Sequence, residues 1–355
     1  MKFGAFMMPN NPPERGIGAG HRHNLDYIGF LDRAGFDEVW IGEHYTTPWE
    51  PCPSPDLLIA QAIDRTERIT FASGAFLLPY HHPAELAQRI AYLDHMAQGR
   101  LIVGVGAGGF PGDWAMFDVD AMAGQNRRMM AEALAIMVRF WTSDGAFEHR
   151  GEFWTARRPA DEPPTRFHLQ PYRKPHPPIA ITALSPGSSS LKLAGAGGYL
   201  PACIGLGDGY LRDNWRIVEE GADAAGRTAK RSDWRLGRDL FVAETDRKAR
   251  RLALEGPIGR VWREYLLPLF KQFGMTGVMK HRPDVADADV TVEYLADHNW
   301  LVGSPATVAD KLARLQQESG GFGCLLTMAY DHLDHLTAWR ESKQALMTEV
   351  APLFK

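Results

Sequence analysis

The chain has 355 residues, 45% of them hydrophobic and 23% charged, enough for a large packed core in one big α/β domain or two smaller ones. Its 39 basic and 43 acidic side chains leave a formal charge of -4 with no run of like charge, which argues against nucleic-acid or anionic-membrane surfaces and suits small, roughly neutral ligands. Cys52, Cys203 and Cys324 are odd in number and far apart, and no stretch nears the ~20 apolar residues that span a bilayer, so a reduced, cytoplasmic setting without export or anchoring is expected.

Short apolar runs alternate with longer amphipathic segments, the pattern of repeated strand-helix units and a parallel sheet. Eight strands are predicted: Lys2 to Met8, Glu38 to Gly42, Ile69 to Leu78, Leu101 to Val105, Pro178 to Ala183, Tyr199 to Ile204, Arg235 to Val242 and Gly323 to Ala329. Helical patterns lie between them at Leu25 to Ala34, Ala84 to Met96, Arg127 to Trp141, Asn214 to Ala225 and Pro305 to Glu318, the last opened by Ser304 as N-cap before Pro305. Eight such units predict a (β/α)8 barrel, with 1–355 forming a single domain. Such a barrel takes ~250 residues, so roughly a hundred must sit in insertions. One follows strand four, from Asp144 to Pro177, and is rich in Pro and aromatic residues. The other follows strand seven, from Arg247 to Gly303. It joins an apolar helical piece, Val261 to Phe273, to a polar stretch through Asp284, Asp287 and Asp289, and forms either a lid over the barrel mouth or an ordinary surface excursion.

Side chains at the carboxyl ends of barrel strands converge on one mouth, so Glu43-His44 at the end of strand two points to active-site chemistry. The near-neutral pKa of an imidazole suits proton transfer. His81 and His82 precede Pro83, which fixes a helix start; one of the pair should face inward, and capping of the helix is the other use. Ala183 to Ser190 follows strand five and opens a helix at Leu191, bringing hydroxyls and free amides to a positive helix end, an anion site of which a plain N-cap would explain one serine. Gly104 to Gly109 carries a GxGxxG spacing after strand four. Pro111 and Gly112 interrupt the helix that a dinucleotide motif requires, and no strand-ending acid follows ~20 residues later.

Phe3-Gly4 with Pro9, Glu43-His44, Leu78-Pro79-Tyr80-His81-His82-Pro83 and Asp94-His95-Met96-Ala97-Gln98-Gly99-Arg100 together resemble the bacterial luciferase-like flavin monooxygenases. The ending, Leu301-Val302-Gly303-Ser304-Pro305 with Gly320-Gly321-Phe322-Gly323-Cys324-Leu325-Leu326, is similar to the limonene monooxygenase branch of that family, and the resemblance covers nearly the whole chain. It implies a (β/α)8 barrel that holds flavin mononucleotide (FMN) at its C-terminal mouth. It further implies reduced FMN from a separate NAD(P)H:flavin reductase, O2 activated through a C4a-hydroperoxide, and one oxygen inserted into a hydrophobic small molecule by hydroxylation, epoxidation or Baeyer-Villiger chemistry. The family usually forms homodimers.

The resemblance implies catalytic roles for His44, at the flavin face, and for His82, as a second active-site histidine; Glu43 would fix an imidazole or anchor a neighbouring strand. It places flavin contacts at Ala75, within the small-residue run Gly74-Ala75-Phe76, at Gly106, Ala107 and Gly108, where strand four would run against the ring, and at Asp113, which is equally a turn residue. The phosphate falls to Ser185, Ser188 and Ser189. Luciferases carry an arginine where this chain has Ala107, which leaves Arg127 or Arg128 to supply the charge. Trp49, Phe110, Trp114 and Met328 are candidates for an aromatic and apolar lining. No metal site is expected: His21-Arg22-His23 invites comparison with metal-dependent hydrolases, but strands five and six end in Ala183 and Ile204 without a histidine. A deazaflavin-dependent oxidoreductase on the same barrel, or a flavin-binding relative without catalysis, are the alternatives.

Overall fold

Eight parallel strands close on themselves in the computed structural model, which describes residues 1–204 and 206–354 and, at Asp208, the backbone alone. They are β1 Lys2–Met7, β2 Glu38–Ile41, β3 Thr70–Ser73, β4 Leu101–Gly106, β5 Ile179–Thr182, β6 Leu200–Ile204, β7 Arg235–Arg238 and β8 Cys324–Ala329. Each pairs with its neighbour in sequence, and β8 returns to β1 with Leu325 opposite Phe3. The (β/α)8 barrel is therefore present, with all eight strands within two residues of the expected places apart from the two interruptions below. Every residue of β2, β4, β7 and β8 is buried. Strands covered on both faces carry continuous apolar runs, and that is the pattern by which the sequence reveals them.

The helices Ile17–Ala34, Pro55–Ile63, Pro83–Met96, Gln125–Thr142, Ser189–Gly197, Asp208–Ala224 and Pro305–Ser319 follow their strands. Ser304 caps the last by accepting the Thr307 N–H, as expected. The first helix starts eight residues before the predicted Leu25, because the polar segment at its N-terminus carries no apolar periodicity. A further correction falls after β4: a helix, Pro111–Met116, does begin there, with Pro111 in its first turn, where proline's missing N–H costs nothing. Among the described residues, no helix is long and apolar enough to cross a membrane.

Two strands differ in shape from the expectation. The third ends at Ser73 and resumes as Phe76–Leu77 after a cis Gly74–Ala75 peptide bond. Here β3 and β4 press together so closely that a Cβ on Gly104 would lie 1.9 Å from the Ser73 carbonyl oxygen, which only glycine permits. The seventh breaks at Asp239: Leu240–Val242 leaves the barrel and pairs in parallel with Leu301–Gly303. The stretch after β4 contains an antiparallel hairpin, Phe147–Arg150 with Thr155–Arg158. The stretch after β7 is helical, with Asp246–Glu255, Pro257–Val261, a π-helical turn Trp262–Leu266, Leu267–Gln272 and Val292–His298.

Candidate active site

The carboxyl ends of all eight strands surround one cavity, and the segment after β7 roofs it with Trp262, Leu266, Leu269 and Phe270. His44 forms part of its wall. The His44 N–H donates to the Cys52 carbonyl, which folds the 45–52 loop back and swings Glu50 under the ring. Nε2 lies 3.4 Å from Glu50 Oε2 and Nδ1 lies 3.6 Å from Asp113 Oδ2, while Phe110 meets the ring edge-on at 4.5 Å. Both separations are longer than good hydrogen bonds.

The two acids are displaced in opposite directions. Burial pushes the Glu50 carboxyl up, against the pull of His44 and the Tyr265 hydroxyl. Burial acts upward on Asp113 too, but its contacts with His44 and Thr46 outweigh that and hold it below the usual carboxylate range. Thr46 donates to Asp113 Oδ1 from its N–H at 2.9 Å and from its hydroxyl at 2.6 Å. An imidazole between two buried carboxyl groups displaced in opposite directions is equipped to hold or pass a proton.

Glu43 is 1% exposed and does not support His44. Its Oε1 accepts the Tyr45 hydroxyl and His81 Nε2, each at 2.8 Å, and its Oε2 accepts the Leu77 N–H at 3.3 Å. It thus anchors the end of β2 to the 77–81 segment. His82, expected as catalytic, is exposed and lies outside the cavity lining; its Nδ1 accepts the Ala84 N–H as the helix N-cap and its ring edge meets Trp154. Pro83 explains the difference, since a helix starting there turns the preceding side chain back onto the helix end and leaves His81 facing inward.

Ala75, Gly106, Ala107 and Gly108, the expected flavin contacts, line the cavity, and Asp113 lies behind His44 rather than on the lining. A Cβ on Gly106 would sit 3.0 Å from Thr182 Oγ1 and 3.4 Å from Ala75 Cβ, so bare backbone forms a smooth patch there. Ser185, Ser188 and Ser190 line the cavity beside the N-terminus of helix Ser189–Gly197, and Arg127 lines it as well. Ser189 does not join them: it is exposed, and its place on the lining is taken by buried Ser190, one residue round the helix. Arg128 points away to Glu152. A flat apolar surface with a hydroxyl-rich, cationic end fits a planar aromatic cofactor with an anionic tail.

Phe110 and Met328 line the cavity, whereas Trp49 stacks on Tyr265 at 5.6 Å and Trp114 packs against the Leu77–Tyr80–Val119 cluster. His21 contacts Gln61 and His23 contacts His332, and neither lines the cavity. Sequence reasoning missed Glu50, Asp239, Trp262, Tyr265 and Tyr330, all of which line it. Asp239 accepts the Tyr330 hydroxyl at 2.7 Å and Trp262 Nε1 at 2.8 Å; burial, opposed by those donors, pushes it up to about 6. An acid within an apolar strand run was the available signal for Asp239, and an acid seven residues past Glu43 in a Pro-rich loop was the signal for Glu50.

The model of the family described as luciferase-like monooxygenase matches residues 1–321. The chain is 36% identical to the 3,6-diketocamphane 1,6-monooxygenase of Pseudomonas putida over 90% of this chain and 89% of that one. It is 31% identical to the limonene 1,2-monooxygenase of Rhodococcus erythropolis over 99% and 86%. Among solved structures it superposes with a TM-score of 0.93, at 34% identity and over 99% and 98% of the two chains, on the oxygenating constituent of the Pseudomonas putida 3,6-diketocamphane monooxygenase, a type II Baeyer-Villiger enzyme in complex with FMN.

Proposed function

Because the chain belongs to the luciferase-like monooxygenase family, we propose that it uses reduced FMN and O2 to insert one oxygen atom into a hydrophobic ketone, the second oxygen leaving as water. This is Baeyer-Villiger chemistry, and the two electrons come from flavin reduced by a separate NAD(P)H:flavin reductase. The observation that carries the reading is His44, set between Glu50 and Asp113 on the wall of a cavity that has a bare apolar patch and an anion-binding end.

When bound, reduced FMN supplies the activation of dioxygen. The chain supplies the rest. Ala75, Gly106 and Gly108 give a flat surface for the ring, and Ser185, Ser188, Ser190 and Arg127 hold the phosphate. His44, with Asp113 beside Nδ1 and Glu50 beside Nε2, holds the proton that the oxygen transfer requires. Trp262, Leu266, Leu269 and Phe270 exclude water and shape the substrate site. The diketocamphane relatives favour a ketone; the limonene relative keeps epoxidation or hydroxylation as the second reading. Hydride transfer with a deazaflavin has the same barrel in its favour and no support from the relatives above 30% identity that bear enzyme names. A cytoplasmic homodimer is part of the proposal, supported by three free cysteines and by exposed Ile17 and Leu57 on adjoining helices.

The experiment is a reaction with reduced FMN, O2 and a panel of monoterpenoid ketones and alkenes, reading lactone and other oxygenated products by mass spectrometry and hydrogen peroxide in parallel. Lactone formation that scales with the protein supports the reading. FMN binding with peroxide as the sole product from every ketone and alkene would overturn the oxygenase, and failure to bind FMN with binding of a deazaflavin would move the chain to hydride transfer.

A further inference from the structure

His44 is held on its two nitrogens by carboxyl groups that differ in what else they touch. Asp113 Oδ1 takes both Thr46 donors, so its position is fixed from within the barrel mouth. Glu50 is different. Its Oε2, which faces His44 Nε2, also accepts the hydroxyl of Tyr265 at 3.2 Å, and Tyr265 belongs to the π-helical turn Trp262–Leu266, more than 200 residues away in the chain. The Tyr265 oxygen in turn accepts from Thr47 Oγ1 at 3.1 Å, and its ring lies parallel to Trp49 at 5.6 Å. One tyrosine of the roof is thus gripped by three residues of the loop that carries Glu50. Glu50 is 4% exposed and Tyr265 9%, so water competes weakly for these contacts and each charge is felt strongly by its neighbours.

We propose that Glu50 is a positioning residue for His44 and that Tyr265 governs it from the roof, so that seating of the Trp262–Leu266 turn and the proton affinity of the imidazole are linked through one carboxyl oxygen. The consequence for turnover rests on the flavin reading above; the link itself does not. A ketone enclosed under a seated roof would meet an imidazole already tuned, whereas an open roof would take the Tyr265 donor away from Glu50. Among the described residues, the groups that face this linkage are Asp113 and Phe110 from the segment after β4, Asn10 from the segment after β1, Thr47 and Trp49 from the loop after β2, Tyr330 from the end of β8, Tyr265 from the roof, and Arg260, whose guanidinium lies over the Trp49 ring.

The direction of the effect is fixed by charge. Removing the Tyr265 hydroxyl withdraws a donor that stabilises ionised Glu50, so Glu50 keeps its proton to higher pH and the imidazolium of His44 loses a negative neighbour. Both Tyr265→Phe and Glu50→Gln therefore lower the pKa of His44, and their effects share one route.

The test uses the flavin-free protein. Long-range 1H–15N spectra of histidine-labelled wild type, Tyr265→Phe, Glu50→Gln and the double variant are recorded against pH, with the His44 signal assigned by its loss in His44→Gln. Glu50→Gln is expected to lower the His44 pKa by about one unit, the lower end for an opposite charge at this distance. Tyr265→Phe is expected to lower it by less, and the double variant to match Glu50→Gln alone. An unchanged His44 titration in Tyr265→Phe, or a Tyr265→Phe shift of equal size in the Glu50→Gln background, overturns the proposal. Should Glu50→Gln not fold, Tyr265→Phe decides alone: a downward shift upholds the link and no shift ends it. No flavin or ketone enters the measurement, so the oxygenase reading can fail while this one stands, and the reverse.

Discussion

His81 Nε2 lies 2.8 Å from Glu43 Oε1, so the acid next to the catalytic candidate is bound to a different histidine from the one beside it in sequence. Glu43 also takes the Tyr45 hydroxyl and the Leu77 N–H, and these donors make it a framework group. Glu43→Ala should lower folding stability by about 3 kcal/mol, the cost of leaving buried partners without their acceptor. Urea unfolding measures it; a loss confined to turnover, with stability intact, would return Glu43 to the chemistry.

His44→Asn should cut product formation by about 10²- to 10⁴-fold, the usual contribution of a placed proton-transfer group, while the Kd for FMN changes by a few-fold at most. Steady-state product assays and a fluorescence titration separate the two. Equal loss in both would make His44 a flavin anchor.

His82→Ala should leave turnover unchanged and cost about 0.5–1 kcal/mol of stability, as loss of an N-cap does. A tenfold fall in kcat would show that the exposed ring reaches the reaction.

Arg127→Ala should weaken FMN by about tenfold to a hundredfold, the range of a charge-assisted contact, and leave riboflavin binding as it was. Side-by-side titrations with the two flavins check it, because only FMN carries the phosphate. Arg128→Ala, already paired with Glu152, is the matched control.

Burial, with His23 alongside, lowers the His332 imidazole to about 2, against a usual 6.5, although its bond to the Tyr330 carbonyl acts the other way. The unfolded chain takes up a proton below pH 6.5 that the folded one refuses. Stability should therefore fall as pH drops from 6.5 towards 4, with this residue contributing a slope of about 1.4 kcal/mol per pH unit. Urea midpoints for wild type and His332→Gln measure it, and the variant should show a visibly shallower acid limb.

The barrel was legible because its strands are buried on both faces: runs such as Leu101-Ile-Val-Gly-Val and Cys324-Leu-Leu-Thr-Met-Ala carry little else than apolar residues. That His44, Ala75, Gly106, Ala107, Gly108, Ser185 and Ser188 would line one cavity was legible because the ends of barrel strands converge on one mouth. The choice between His81 and His82 was not, since both precede the same proline and only the helix direction decides which turns in. Ser189 and Ser190 posed the same difficulty, as neighbours on a helix face different ways. Tyr265 and Trp262 were out of reach for another reason: their partners, Glu50 and Asp239, lie far from them in sequence, and no local pattern links the pairs.

The break of the seventh strand at Asp239 carries a consequence for how this enzyme could change. Leu240–Val242 and Leu301–Gly303 lie side by side, so the intervening 243–300 segment leaves and rejoins the protein at neighbouring points. The entropy of closing that excursion grows only slowly with its length. Residues within it other than Tyr265, which holds the His44 loop, can be gained, lost or exchanged while the eight strands keep their places. The stretch that roofs the cavity is thus mounted like a replaceable cassette, and new specificities could arise by altering it without rebuilding the barrel.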